Sequence, residues 1–161
     1  MLKPIIRSIK KEELPVMREF MYLAIFVEEG VEPLPIEIVD DTRLIKYIRD
    51  FGRAGDDCLV AVLQKEVVGV VWSRLFPATC PGYGYYNEKT PELSIAVKPK
   101  WRGQGIGFAL MTAMLKRLRE AGHTTVSLSV TQNNPAVALY KKCGFEILSV
   151  QQDDFLMLLR Q

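Results

Sequence analysis

Apolar positions change their spacing along this 161-residue chain, and each change marks a predicted element. Pro4 to Ile9 predicts a short first strand. Lys11 to Glu29 carries Leu14, Met17, Met21 and Ile25 at helical spacing, with Pro15 near the start, where a helix tolerates proline. Gly30, Pro33 and Pro35 mark a turn, and Ile36 to Phe51 predicts a second helix stopped by Gly52 and Gly55. Cys58 to Leu63 and Val67 to Arg74 are apolar, β-branched runs around Gln64-Lys65-Glu66, the pattern of a hairpin. Leu75 to Thr90 reads as a loop, and Glu92 to Val97 as a fourth strand.

The second half is more sharply punctuated. Gly105 to Ala121 predicts a helix burying Ile106, Leu110, Ala113, Met114 and Leu118, closed by Gly122. Thr124 to Val130 is a fifth strand. Asn134 suits a helix N-cap, Pro135 the first helical position and Gly144 the residue past the end. Phe145 to Val150 and Phe155 to Arg160 make a last strand pair around Gln152-Asp153. The order is strand, two helices, three strands, helix, strand, helix, two strands. It predicts a mixed α/β sheet, and 161 residues fit one domain spanning 1–161.

Composition narrows the function classes. A net charge of +2 is too small to argue for nucleic acid or a membrane surface as partner, and no apolar run approaches the roughly 18 residues of a membrane span. Cys58, Cys80 and Cys143 have no metal-like spacing, so no metal is expected, and reduced thiols point to the cytoplasm. Met1-Leu2-Lys3-Pro4 shows no signal-peptide pattern. The charge is nevertheless uneven. Glu28 to Asp41 holds six acidic residues and no basic one; Lys98 to Arg119 holds six basic residues and no acidic one. These are either two solvated faces, or a basic end for an anionic ligand and an acidic end for a cationic one.

The candidate chemistry begins at Val97-Lys98-Pro99-Lys100-Trp101-Arg102-Gly103-Gln104-Gly105-Ile106-Gly107, where a strand runs into a helix. Glycines permit the unusual backbone angles and close approach that a phosphate needs, and helix-start amides point at the anion. A P-loop requires Lys-Ser or Lys-Thr after the glycines; here Ile106 and Phe108 follow them. A dinucleotide fold requires G-x-G-x-x-G and an acid at the end of the next strand; here the spacing is G-x-G-x-G, and Thr124 to Thr131 has no acid.

Arg102-x-x-Gly105-x-Gly107 after the strand Leu93-Ser94-Ile95-Ala96-Val97 resembles the acetyl-CoA pyrophosphate loop of the GNAT acyltransferase superfamily. Asn134-Pro135-Ala136-Val137-Ala138-Leu139-Tyr140, continuing to Gly144-Phe145, is similar to that family's second signature, and the element order matches over nearly the whole chain. The resemblance implies a mixed, mostly antiparallel sheet of about seven strands with four helices, splayed between strands 4 and 5. It implies acetyl-CoA as cosubstrate without a metal, and N-acetyl transfer to a primary amine of a small molecule or peptide. A non-catalytic acyl-CoA-binding or sensing domain is the alternative, and homodimers are common in the superfamily.

By the same resemblance, main-chain groups of Ile95, Ala96 and Val97 bind the pantetheine arm. Amides of Arg102, Gly103, Gln104, Gly105, Ile106 and Gly107 hold the pyrophosphate, and Asn134 contacts the cofactor beyond the thioester. Tyr140 is the candidate general acid for the leaving sulfur. A backbone amide near Val97 is a candidate oxyanion donor. Strand alternation puts Glu92 on one face with Ser94 and Ala96, and the carboxylate that many relatives carry in this strand makes it a candidate base by the resemblance, with Glu28, Glu29 or an ordered water as substitutes. Tyr83, Tyr85 and Tyr86 either line the acceptor pocket or pack on protein. His123, Cys143 and Trp101 read as a turn residue, a packing residue and a loop anchor.

Overall fold

The structure is a computed structural model that describes residues 2–161. Seven strands form one sheet: β1 (Ile5–Ser8), β2 (Asp57–Leu63), β3 (Glu66–Arg74), β4 (Glu92–Val97), β5 (Thr125–Thr131), β6 (Glu146–Gln151) and β7 (Asp154–Arg160). Their order across the sheet is β1-β2-β3-β4-β5-β7-β6. Four α-helices accompany them: α1 (Val16–Ala24), α2 (Thr42–Ile45), α3 (Ile106–Glu120) and α4 (Ala136–Lys142).

Every neighbouring pair is antiparallel except β4 and β5, which are parallel and share the single register pair Glu92↔Ser127. Past Glu92 the two strands part. The β5-facing side of Leu93–Val97 therefore has no strand partner, while its other side stays paired with β3. Unpaired backbone groups inside a fold must find another partner, so the splay fixes where an extended ligand could add itself to the sheet.

Alternation sorts the side chains onto two cores. Leu93 of β4, Val126, Leu128 and Val130 of β5 and Met157 of β7 pack with Ile106, Leu110, Met114 and Leu118 of α3 on one face. Ala96, Val60, Val70 and Trp72 pack with Met17, Phe20 and Met21 of α1 on the other. Glu92 shares the second face with Ala96, as alternation predicts.

The first half departs from the periodicity reading at both helices. Lys11–Glu13 is a 3₁₀ turn, α1 stops at Ala24, and Ile25 is already extended at φ −75°, ψ 118°. The apolar run Ile25-Phe26-Val27 continues the helical spacing but lines a cavity instead of a helix face. The second predicted helix breaks into a 3₁₀ turn, Ile36–Asp40, and the four-residue α2. Asp41 causes the break: its side chain accepts the Arg43 amide at 2.9 Å and restarts the helix.

Both hairpins lie where the sequence places them, although their turns use residues without the usual glycine signal. Gln64 and Lys65 sit at φ 51° and 65°, the left-handed pair that a two-residue turn between twisted strands needs. α4 begins one residue later than predicted, at Ala136; Asn134 still caps it, with its Oδ1 accepting the Ala136 amide at 2.9 Å.

Candidate active site

The gap between β4 and β5 opens into a cleft of about 790 Å³. The β4 edge supplies Ile95, Ala96 and Val97; the β4–α3 turn supplies Arg102, Gly103, Gly105, Ile106 and Gly107; α4 and its cap supply Asn134, Leu139 and Tyr140. All of the predicted cofactor residues except Gln104 thus line one cavity. Gln104 is exposed on the outside of the turn.

The turn rests on two left-handed glycines. Gly103 and Gly105 adopt φ +74° and +82°, and a Cβ at either would meet nothing within 4 Å. Glycine is required there for the backbone angle, not for space. Gly105 is the residue before α3, and no side chain caps that helix, so the first-turn amides are left for a ligand. Arg102 ties the turn to the sheet, its Nε donating to the Val97 carbonyl at 2.9 Å. Trp101 packs against the α3-side core and lines the cleft as well, so it is more than a surface anchor.

A second cavity of about 350 Å³ adjoins the first, and Ala24, Ile25, Phe26, Ile95, Asn134 and Tyr140 border both. Its other walls include Tyr47, Tyr83, Glu92, Ser94, Ser129, Thr131 and Asp154. Its lining holds two carboxylates, Glu92 and Asp154, and no Lys, Arg or His among the described residues. The cleft beside it holds Arg102 and no carboxylate. Of the two readings of the uneven charge, solvated faces account for most of it: of the basic residues from Lys98 to Arg119 only Arg102 lines the cleft, and the acidic residues of the cavity are not those of Glu28 to Asp41. Asp40 pairs with Arg18, Asp41 with Arg43, and Glu28 accepts from Asn133 Nδ2; none of them lines the cavity. Glu28 and Glu29 are accordingly not placed to act as bases.

Glu92 is 3% exposed. The Tyr47 hydroxyl donates to its Oε2 at 2.5 Å, while its Oε1 has no hydrogen-bond partner. Burial pushes the carboxyl up to about 7, against the opposing effects of the Tyr47 hydroxyl, the Gly84 amide and the Lys46 charge. Tyr140 is 8% exposed, and burial raises its hydroxyl, which therefore stays protonated throughout the neutral range. Its ring meets Phe145 edge-on at 6.2 Å, and the residue borders both cavities.

Of the three loop tyrosines, Tyr83 lines the second cavity, Tyr85 packs on the α1-side core, and Tyr86 does neither. His123 and Cys143 line neither cavity, and Cys143 packs against the α3-side core. Among the described residues, no group of three His, Cys, Asp or Glu could hold a metal ion, and no helix is long and apolar enough to cross a membrane.

Sequence reading did not find the supports of Glu92. Arg74 at the end of β3 forms a bidentate pair with Asp56, at 2.9 and 2.8 Å, and donates to the carbonyls of Lys46 and Arg49 at 2.8 and 2.7 Å. The Trp72 indole donates to the Tyr47 carbonyl at 3.2 Å. The helix that should have satisfied these carbonyls stops at Ile45, and β3 side chains replace its hydrogen bonds. The only available signal was an arginine ending an apolar run.

Residues 21–145 match the acetyltransferase (GNAT) family. The chain belongs to the GNAT acetyltransferase family. Curated relatives of this family include an N-alpha-acetyltransferase from Sulfurisphaera tokodaii, 36% identical over 116 residues, which are 66% of this chain and 64% of that protein. A mycothiol acetyltransferase from Saccharomonospora viridis is 39% identical over 85 residues, 52% of this chain and 27% of that protein. The chain thus spans from about a quarter to just under two thirds of these relatives' lengths.

The GNAT fold is shared with PaiA N-acetyltransferase from Thermoplasma acidophilum, solved with coenzyme A (TM-score 0.73, 20% identity, 99% of this chain and 100% of that one). It is also shared with YncA from Salmonella typhimurium, solved with acetyl-CoA (TM-score 0.69, 20% identity, 99% and 94%).

Proposed function

We propose that residues 1–161 form one acetyltransferase domain that moves the acetyl group of acetyl-CoA to a primary amine of a small molecule or peptide. The observation that carries this reading is the meeting of a glycine-turned, Arg102-bearing cleft with an acidic cavity at Tyr140. The left-handed glycines, the uncapped start of α3 and the free β4 edge fit a pyrophosphate followed by an extended arm. In this reading the amides from Arg102 to Gly107 hold the pyrophosphate, Ile95 to Val97 bind the arm, and Asn134 lies beyond the thioester. The three cysteines are free thiols, in keeping with a cytoplasmic protein.

Acetyl-CoA supplies the acetyl thioester. An alkylamine with a pKa of about 10 arrives as its ammonium, which cannot attack. Glu92, poised near 7, is half ionised at neutral pH and accepts that proton, directly or through one water. The amine nitrogen then bonds to the thioester carbon. A main-chain amide at the splay near Val97 donates to the oxygen as it gains charge. The carbon–sulfur bond breaks, Tyr140 gives its hydroxyl proton to the departing thiolate, and the tyrosine is reprotonated by the second proton that the new amide nitrogen sheds, directly or through water. The proton on Glu92 leaves to water. Asp154, at the far end of β5's partner strand, offers an ion-pair partner for a positive group elsewhere on the acceptor.

A panel of amines tests this reading, with acetyl-CoA as donor and acetylated product read by mass spectrometry. Cationic acceptors are turned over and acidic ones are not. Turnover confined to acidic acceptors would contradict it.

A further inference from the structure

We propose that Tyr47 is a positioning residue for the Glu92 carboxylate, held in place by the loop that roofs the acceptor cavity through the Tyr83 amide. The inference rests on the reading of Glu92 as the proton acceptor, and three observations support it.

The first is the direction of the hydrogen bonds. The Tyr83 amide donates to the Tyr47 hydroxyl oxygen at 2.7 Å, and that hydroxyl donates onward to Glu92 Oε2. With a donor already on its oxygen, the hydroxyl is turned so that its own proton meets the carboxylate. Oε2 is thereby engaged, and Oε1 is the oxygen left without a protein partner. Oε1 is buried beneath Gly82, so the Tyr47 hydroxyl fixes how the carboxylate is turned under the loop.

The second is the closeness of the roof. A Cβ at Gly82 would fall 2.2 Å from Glu92 Oε1 and 2.7 Å from the Tyr47 oxygen, and one at Gly84 would fall 2.7 Å from the β5 backbone at Leu128 and Ser129. Neither glycine has a positive φ. Space alone requires them, so the loop presses directly on the tyrosine–glutamate pair. Tyr83 itself lines the acceptor cavity, which places the acceptor against the residue whose amide holds Tyr47.

The third is the rigidity behind Tyr47. Trp72 and Arg74 hold its backbone segment from β3, and its ring meets Phe76 edge-on at 5.0 Å. The ring cannot follow the carboxylate if the hydroxyl is removed; only the hydrogen bond is lost. The charged and titratable groups around Glu92 are Lys46 and Tyr47 after α2, Tyr83 of the loop and Asp154 of β7 across the cavity. Arg74, its register partner on β3, is engaged with Asp56. On the α1 and β5 sides the neighbours that share the cavity are neutral: Met21, Ser129 and Thr131.

The test is the pH profile of kcat at saturating acetyl-CoA and amine, for wild type, Tyr47→Phe, Gly82→Ala and Glu92→Gln, with folding checked by thermal unfolding. Tyr47→Phe removes a donor that favours the ionised carboxyl, so the acid limb moves up by about one pH unit. Activity falls roughly tenfold at pH 6 and returns to near the wild-type rate at pH 9. Gly82→Ala displaces the same pair and shifts the limb in the same direction, which keeps the proposal testable if Tyr47→Phe does not fold. Glu92→Gln has no acid limb of this kind. A limb unmoved in the folded variants, or a loss equal at every pH, overturns the positioning role. If Glu92→Gln keeps the wild-type limb and rate, the base assignment itself fails, which is a different result.

Discussion

Replacing Arg74 by methionine tests the foundation on which the candidate base stands. The arginine and Asp56 side chains are 2% and 3% exposed and joined by two short hydrogen bonds. Burial alone would raise the Asp56 carboxyl, but Arg74 and the Gly52 and Arg53 amides outweigh it and hold it below its ordinary value of 3.8. Methionine keeps the apolar stem and removes the charge, stranding the carboxylate. Removing one partner of a buried pair costs about 3–5 kcal/mol. At about 2–4 °C per kcal/mol for a chain of this size, the unfolding temperature falls by about 6–20 °C. The folded-state value is depressed, so the pair's contribution is complete above the ordinary value and fades as pH falls through the folded one. Wild type therefore loses stability in this way below about pH 4, and Arg74→Met does not. Scanning calorimetry at pH 7 and across the acid range measures both effects, and a double-mutant cycle with Asp56→Asn isolates the pair. A fall of less than about 3 °C at pH 7, about 1 kcal/mol or less, would refute this reasoning.

Other expectations concern the site itself. Gly105→Ala forces a side chain into the left-handed region at about 1–2 kcal/mol and raises the acetyl-CoA Kd by tenfold or more in calorimetric titration, with the fold retained. Glu92→Gln loses rate by about 100-fold or more at pH 8 yet raises the unfolding temperature there. The buried carboxyl, with its pKa raised to about 7, destabilises the fold progressively as pH climbs from its ordinary 4.5 through 7. A lower unfolding temperature for this variant at pH 8 would count against that. Asp154→Asn raises KM for a dicationic acceptor several-fold and leaves KM for a monoamine unchanged, as steady-state kinetics would show.

The sheet, both hairpins and the glycine turn were legible because each rests on a local rule: alternation, turn residues, or strand-to-helix punctuation. Arg102 to Gly107 and Asn134 to Tyr140 are contiguous segments, so the family resemblance could be carried by their motifs, and all of them except Gln104 that were named for the cofactor line one cavity. The helices between β1 and β2 were not legible to the same degree. There the apolar spacing of Ile25 and Val27 serves a cavity, and Asp41 interrupts a run that periodicity alone would continue. Glu92 was found by alternation, but its setting was not. Tyr47, Arg74 and Tyr83 reach it from three separate segments, and no local pattern encodes contacts across that distance. The acidic side of the site was misplaced for the same reason. Glu28 to Asp41 is dense in sequence, yet Asp40 and Glu28 meet Arg18 and Asn133, and Asp41 meets the nearby Arg43, whereas Glu92 and Asp154 lie 62 positions apart and share one cavity.

Amine-dependent release of CoA from acetyl-CoA, compared between wild type and Tyr140→Phe at pH 8, tests the central claim most directly. Tyr140 borders both cavities, and its buried hydroxyl stays protonated at neutral pH. The account predicts release that requires the amine and falls about 100-fold in the variant, while acetyl-CoA still binds. Binding without turnover in wild type, or equal turnover in the two proteins, would contradict it.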